Sequence, residues 1–331
     1  MEAIIIYKFH FDRITSPLTF FDLGAEGSYI DENLARDYFA REFKKYALPI
    51  FEKLISDENA KISCYFSGVF LELLQEHASY LTEIKKLVKS GQIELLAGTY
   101  YHSLSSLFSA SLFKIEVEKQ VKMLENVFDT MPIGFYNTAN IYSNDLAELL
   151  GSLGFKAVLA PKIPWFQGDR GMDRIFQSVN KDISLVLVGD VYHIEEAQNH
   201  LGVYGLDGMS KKSVEILRDT KIKPVGIADS IKVKSKSAVY SLPDTVALAF
   251  NGQDISYLIG NSLQNEYLRR VKEVGLSANS KKNQSLTELI LSLASANHFR
   301  SISRFENKID RNQNYRQLLN YLTDLELRLR R

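Results

Sequence analysis

Over its first two thirds this chain alternates short apolar runs with longer stretches whose apolar residues recur every three or four positions. Residues 1–11, 61–67, 93–97, 133–137, 156–160, 183–188 and 201–206 read as strands, being short and rich in β-branched and aromatic residues. Between them, Leu34, Tyr38, Phe39, Phe43 and Tyr46 mark a helix over 32–56 that Pro49 disturbs. Leu81, Ile84, Leu87 and Val88 mark a second helix, and Phe113, Val117, Val121, Leu124 and Phe128 a third. Gly91 and Gly154 stand where a left-handed residue would close a helix, and Ser143 where a side chain would cap the start of one. Strands that alternate with helices pair in parallel through right-handed crossovers, so the chain folds as an α/β barrel or an open doubly wound sheet.

The first strand adds a direction. Tyr7, Phe9 and Phe11 share one face and can pack under helices, while Lys8, His10 and Asp12 share the other. An apolar outer face with polar groups gathered at the C-terminal end is what a barrel with a functional mouth requires. A length of 331 residues with 45% apolar content suits one large α/β barrel. Residues 1–230 are assigned to the barrel and 231–331 to a polar, weakly patterned linker and a helical region. Helices are expected near 255–274, 285–293 and 315–329, the last carrying the stripe Leu318, Leu322, Leu325, Leu329 toward the barrel.

Forty basic residues balance forty acidic ones, which provides no electrostatic footprint for nucleic acid or an anionic membrane surface. Lys232, Lys234 and Lys236 alternate as a solvated edge. No stretch approaches the roughly eighteen apolar residues of a membrane span, and the apolar run before Lys8 is too short for a secretory signal. The single cysteine, Cys64, lies in an apolar run and reads as a buried thiol in a reducing, cytoplasmic compartment.

Several strand-end segments, taken in order, resemble the amylase-like group of glycoside hydrolase family 57, whose members act on α-glucans. The strand ending His10-Phe11-Asp12 is similar to the family's His-Gln-Pro strand, and Cys64-Tyr65-Phe66-Ser67-Gly68 resembles its second-strand end. The segment from Gly91 through Gly98-Thr99-Tyr100-Tyr101-His102 resembles its second signature, and Asn137-Thr138-Ala139 its third, in which a glutamate nucleophile follows the Asn-Thr pair. Here that place is Ala139. Segments beginning at Asp254 and Ser295 resemble the family's helical segments after the barrel. The resemblance implies an incomplete seven-stranded (β/α) barrel followed by a helical C-terminal region, an oligosaccharide or α-glucan partner and no cofactor. It implies a general-acid aspartate after Trp165, for which Asp207 is the candidate; another register puts Asn251 there.

A retaining glycosidase needs two carboxyl groups about 5–5.5 Å apart, one to attack the anomeric carbon and one to protonate the leaving oxygen. Alanine does neither, and Asn137 and Asn140 do not replace it. An inverting enzyme would need a second carboxylate, for which Asp12 is the first-strand candidate. The His10-x-Asp12 pair also permits a metal reading with a third ligand from His102, His298 or Asp207, set against a plain hydrogen-bonded pair, the preferred reading, which assigns no metal. Tyr101, His102, Asn137, Tyr142, Trp165 and His298 join His10 and Asp12 as candidates for holding a sugar. The function expected is therefore a family homologue without retaining activity that binds carbohydrate or regulates. The alternatives are an active carbohydrate hydrolase, of amylase, glucanotransferase or metal-dependent type, and a scaffold that meets a protein partner through its helical end.

Overall fold

The computed structural model describes residues 2–24, 29–163, 175–189, 202–210, 223–233, 238–248 and 255–331. Among these, seven parallel strands form one curved sheet. They are β1 (Glu2–Phe9), β2 (Ile62–Phe66), β3 (Ile93–Ala97), β4 (Gly134–Phe135), β5 (Ala157–Pro161), β7 (Ser184–Val188) and β8 (Gly202–Asp207). Their order is β7-β5-β4-β3-β2-β1-β8, with the short β6 (Phe176–Gln177) antiparallel on β7 and β9 (Lys223–Pro224) beside β1. Among the described residues the two ends of the sheet meet at a single bridge, Gly189 to Tyr204, short of a closed ladder. This is the incomplete seven-stranded barrel that the resemblance implies.

The alternation along β1 sorts its two faces as expected. Ile5, Tyr7, Phe9 and Phe11 are buried with Phe39, Phe43 and Phe51 of the helices α1 (Glu32–Glu42) and α2 (Leu48–Ser56) and the turn between them, and with Phe70 of α3 (Gly68–Gln75). Phe9 is the hinge of this layer, with ring centroids 5.1 Å from both Phe51 and Phe66. Ile4 and Ile6 face inward with Leu96, Leu159, Val186 and Val203, forming an apolar floor on which the polar mouth stands. Each such side chain is worth roughly 2 kcal/mol when removed from water. The helix expected over 32–56 is one continuous rod whose turn widens at Phe43–Ala47, because Pro49 has no N–H for the carbonyl one turn back.

The remaining helices of the barrel are α4 (Ala78–Lys89), α5 (Ser105–Phe108), α6 (Ala110–Phe128), α7 (Asn144–Ser152) and α8 (Ile227–Val233). Gly91 and Gly154 do take positive φ, and Ser143 caps α7 by accepting from Leu146 N. Residues 238–248 lie back along the barrel, bridging Gln177 and Tyr142, and bury Tyr240, Leu242 and Val246.

Five helices follow: α9 (Ser256–Ile259), α10 (Ser262–Ser280), α11 (Gln284–Leu293), α12 (Ala296–Ser301) and α13 (Lys308–Arg330). The helix expected from 255 is broken at Gly260, where any Cβ would overlap the Ser256 carbonyl, and Asn261 starts α10 by accepting from Gln264 N at 3.0 Å. The stripe Leu318, Leu322, Leu325 and Leu329 of α13 is buried, against α10 and α11. The α13 carboxylate of Asp324 is fully buried and accepts from Tyr29 Oη, Gly24 N and Arg328 Nε, which clasps the β1–α1 loop to the last helix. Among the described residues no helix is long and apolar enough to cross a membrane.

Candidate functional site

Because all seven strands run the same way, their C-terminal ends open into one mouth, and polar residues gather there. At the end of β1, His10 is 8% exposed and both its ring nitrogens are occupied by protein. Ser67 Oγ caps α3 by accepting from Phe70 N at 3.2 Å, which leaves its O–H to donate to His10 Nδ1 at 2.9 Å. His10 Nε2–H then donates to Asp12 Oδ1 at 2.9 Å. Asp12 also accepts from Ser295 Oγ at 2.6 Å and from Asn297 Nδ2, both at the start of α12. Burial pushes the Asp12 carboxyl up, yet His10, His298 and these donors outweigh it and hold it well below the ordinary range. The Asp-His-Ser connectivity is that of a hydrolytic triad, but Ser67 is fully buried and engaged as a cap, so its role is to orient His10.

His102 stacks on this chain, its ring centroid 4.6 Å from that of His10 and 5.9 Å from Tyr65. It lies in the left-handed region at φ +54°, and its Nδ1 is buried without a hydrogen-bond partner. Burial first, then the neighbouring His10 and Lys8, keep the imidazole well below its usual pKa, so it is neutral. Of the two mouth histidines, His102 therefore retains the uncommitted nitrogen. Gly98 at the end of β3 permits this approach: a Cβ there would overlap the Tyr65 ring and the Tyr136 carbonyl.

The end of β4 is different. Asn137 is tied through Nδ2 to Ser106 Oγ at 3.1 Å and Ile141 O at 2.9 Å, but its Oδ1 has no partner. Asn140 Oδ1 and Tyr142 Oη are likewise buried and unpartnered. Ala139 and Asn140 take φ of +53° and +49°, an uncommon arrangement for alanine that costs about 1 kcal/mol or more. At the end of β8, Asp207 Oδ2 pairs with Lys8 Nζ at 3.0 Å and Oδ1 accepts from Met209 N at 2.9 Å.

Other candidates fall elsewhere. Tyr101 Oη accepts from Lys119 Nζ at 2.7 Å on the α6 side, and Arg13 lies over its ring. His298 lies close enough to Asp12 to lower its pKa, with Nδ1 on Leu293 O at 2.9 Å. Trp165 and Asn251 lie outside the described residues. Among the described residues no group of three His, Cys, Asp or Glu is placed to hold a metal ion. Beside Asp12 the mouth continues into a groove of about 240 Å³ between the β1–α1 loop and α3, walled by Arg13, Glu72, Arg36 and Glu76.

Four contributors escaped the sequence reading. Ser67 and Ser295 lie in segments that resemble the family, but nothing in the sequence assigns them a partner in a mouth built from distant segments. Glu116 and Gln120 of α6 are fully buried, and their signal was present: they sit in phase with Phe113, Val117 and Leu124 on the helix's core face. Glu116 accepts from Tyr101 N at 2.7 Å, Ser105 Oγ at 2.9 Å and Ser103 Oγ, and so shapes the loop that carries His102. Gln120 staples the ends of β2 and β3 through Phe66 O and Gly98 N.

Comparison with known proteins places this arrangement. The chain is 26% identical over 309 residues to a Methanocaldococcus jannaschii protein named "Putative alpha-amylase", covering 78% of this chain and 66% of that one. Its fold superposes on a 4-alpha-glucanotransferase from Thermococcus litoralis with a TM-score of 0.69 at 14% identity, over 90% of this chain and 54% of that one. It superposes on a GH57-type branching enzyme from Pyrococcus horikoshii with a TM-score of 0.72 at 9% identity, over 96% and 88%. The chain thus spans just under two thirds of the first relative and about half of the second. Residues 4–190, which run from β1 past β7 and include the ends of β1 to β4, match the profile of Glycosyl hydrolase family 57, and the chain belongs to that family.

Proposed function

We propose that this chain works in α-glucan metabolism as a family 57 member without retaining glycosidase activity, binding carbohydrate or regulating its use. The observation that carries this reading is the methyl group of Ala139 at the end of β4, in the position that the resemblance assigns to the nucleophile. Its neighbours Asn137, Thr138 and Asn140 offer amides and a hydroxyl, none of which forms the glycosyl ester that retention requires. The names of the relatives, alpha-amylase, 4-alpha-glucanotransferase and branching enzyme, support an α-glucan as the partner.

The mouth suits such a ligand. Neutral His102, the Asp207–Lys8 pair and the polar groove beside Asp12 offer donors and acceptors to hydroxyls above an apolar floor. The inverting and metal-dependent alternatives gain nothing from the geometry. A general base must be free to take a proton, and each oxygen of Asp12 is already satisfied by protein donors.

The expected outcome with purified wild-type protein is binding of maltooligosaccharides, followed by Trp165 fluorescence, without anomer-retaining cleavage. Sustained retaining hydrolysis of those oligosaccharides overturns the proposal, and failure of any α-glucan to bind removes its carbohydrate half. Ala139→Glu tests the assignment of position 139, with hydrolysis of an aryl maltooligosaccharide as the readout.

A further inference from the structure

The missing nucleophile is one obstacle to glycosidase chemistry; strand register supplies another. β1 and β8 pair in parallel with Lys8 directly opposite Asp207, so the two side chains leave the sheet on the same lumen face as neighbours. Lys8 alternates with Ile4 and Ile6 of the apolar floor, and it places Nζ 3.0 Å from Asp207 Oδ2. From the other side the chain turns back, and Met209 N–H donates to Oδ1 at 2.9 Å while Gly208 N–H donates to the Lys8 carbonyl at 2.8 Å. The carboxylate is thereby held in position from both sides. Among the described residues, the titratable groups that face this pair are His10 and Asp12 from β1 and its loop, His102 from the β3 loop and Tyr136 from β4.

We propose that Lys8 is a positioning residue that holds Asp207 in place as a hydrogen-bond acceptor, a block to glycosidase chemistry separate from Ala139. The proposal rests on reading Asp207 as the family's general-acid position. A general acid must carry its proton near the working pH, and in a retaining pair the nucleophile's own negative charge about 5 Å away helps to keep that proton on. Here Ala139 stands in place of that nucleophile and an ammonium stands in contact with Asp207. Burial alone would raise Asp207, but Lys8 and the Met209 N–H outweigh it and keep the carboxyl below its ordinary range. The pair then serves a bound sugar as an acceptor beside a donor, set at the spacing of adjacent strands.

The test is a carbon-13 NMR titration of the Asp207 side-chain carboxyl in the full-length protein, assigned with Asp207→Asn. In wild type the proposal expects a midpoint below the ordinary aspartate value. A wild-type midpoint at or above the ordinary aspartate value overturns it without any variant. In Lys8→Met, or in Lys8→Gln should the first fail to fold, the midpoint moves up by at least about one unit, a tenfold change in proton affinity. In Lys8→Arg it stays where it was. An unmoved midpoint in both neutral variants overturns the proposal.

Activity then separates this idea from the reading beneath it. Adding Lys8→Met to Ala139→Glu raises aryl maltooligosaccharide turnover about tenfold or more, with the gain in kcat and at the alkaline side of the pH profile. If the carboxyl titration moves as expected but neither the single nor the double variant turns over substrate, Lys8 does hold Asp207 and it is the catalytic assignment of Asp207 and position 139 that fails.

Discussion

The wall of the mouth formed by β1 and β2 and the wall formed by β4 treat their polar groups in opposite ways. On the first, Ser67, His10, Asp12, Ser295 and Asn297 form a chain in which nearly every donor meets an acceptor. On the second, Asn137, Asn140 and Tyr142 bury oxygen atoms without partners around a strained Ala139. A buried polar atom left unpaired costs about 1–3 kcal/mol, so the second wall is the less stable of the two and the one whose chemistry has room to change. The comparison teaches that the fold of the mouth is held by β1, β2 and the C-terminal helices, while β4 carries Ala139, the residue on which the proposed function rests.

The comparison can be broken most directly at Asp12. Asp12→Ala removes the acceptor shared by His10, Ser295 and Asn297, and should destabilise the protein by about 3 kcal/mol in urea unfolding. A loss under about 1 kcal/mol means that this wall is no tighter than the other.

Glu116 gives the next largest effect, through pH. Burial pushes its carboxyl up to about 7 from 4.5, although Ser103, Tyr101 and Ser105 pull it down. A group whose folded pKa is raised contributes stability that is full below its unfolded pKa and is lost as pH rises through the folded one. Stability should therefore decline by roughly 2 kcal/mol between pH 5 and 8 on account of Glu116. Glu116→Gln should flatten that decline in denaturation curves at the two pH values, and an unchanged slope would show that Glu116 is charged throughout.

On the β4 wall the expected effects are smaller and of opposite sign. Ala139→Gly, at φ +53°, should raise stability by about 1 kcal/mol by relieving the backbone. Tyr142→Phe removes a buried hydroxyl that bonds to nothing in the structure and should raise stability by about 1 kcal/mol. A large loss in either variant would mean that this wall is as finished as its neighbour.

Much of the barrel was readable because its signals are local. The period-two pattern of residues 4–9 sorted floor from outer layer, and Gly91, Gly154 and Ser143 marked helix ends through backbone sterics and capping that act within a turn. The candidate site was readable only in part. His10 and Asp12 share a strand, so their pairing followed from spacing, but Ser295 reaches Asp12 across 283 residues and no periodicity encodes that. Nor did spacing tell that Tyr101 meets Lys119 while His102 packs on His10, because both leave the strand in a turn whose side-chain directions no period sets. Glu116 and Gln120 were legible in principle as polar residues in a core phase, a pattern that asks which backbone amides they serve.

The clasp at Asp324 means that the last helix and the β1–α1 loop cannot be handled independently. Tyr321 and Asn320 hold the carbonyls of Ser16 and Leu18, and Arg331 reaches Gly24, so a load on α13 is passed by hydrogen bonds to the loop that leads out of Asp12. Tethering the protein to a surface through that helix, or cutting the chain ahead of Asp324, would tug at the rim of the barrel from its far end.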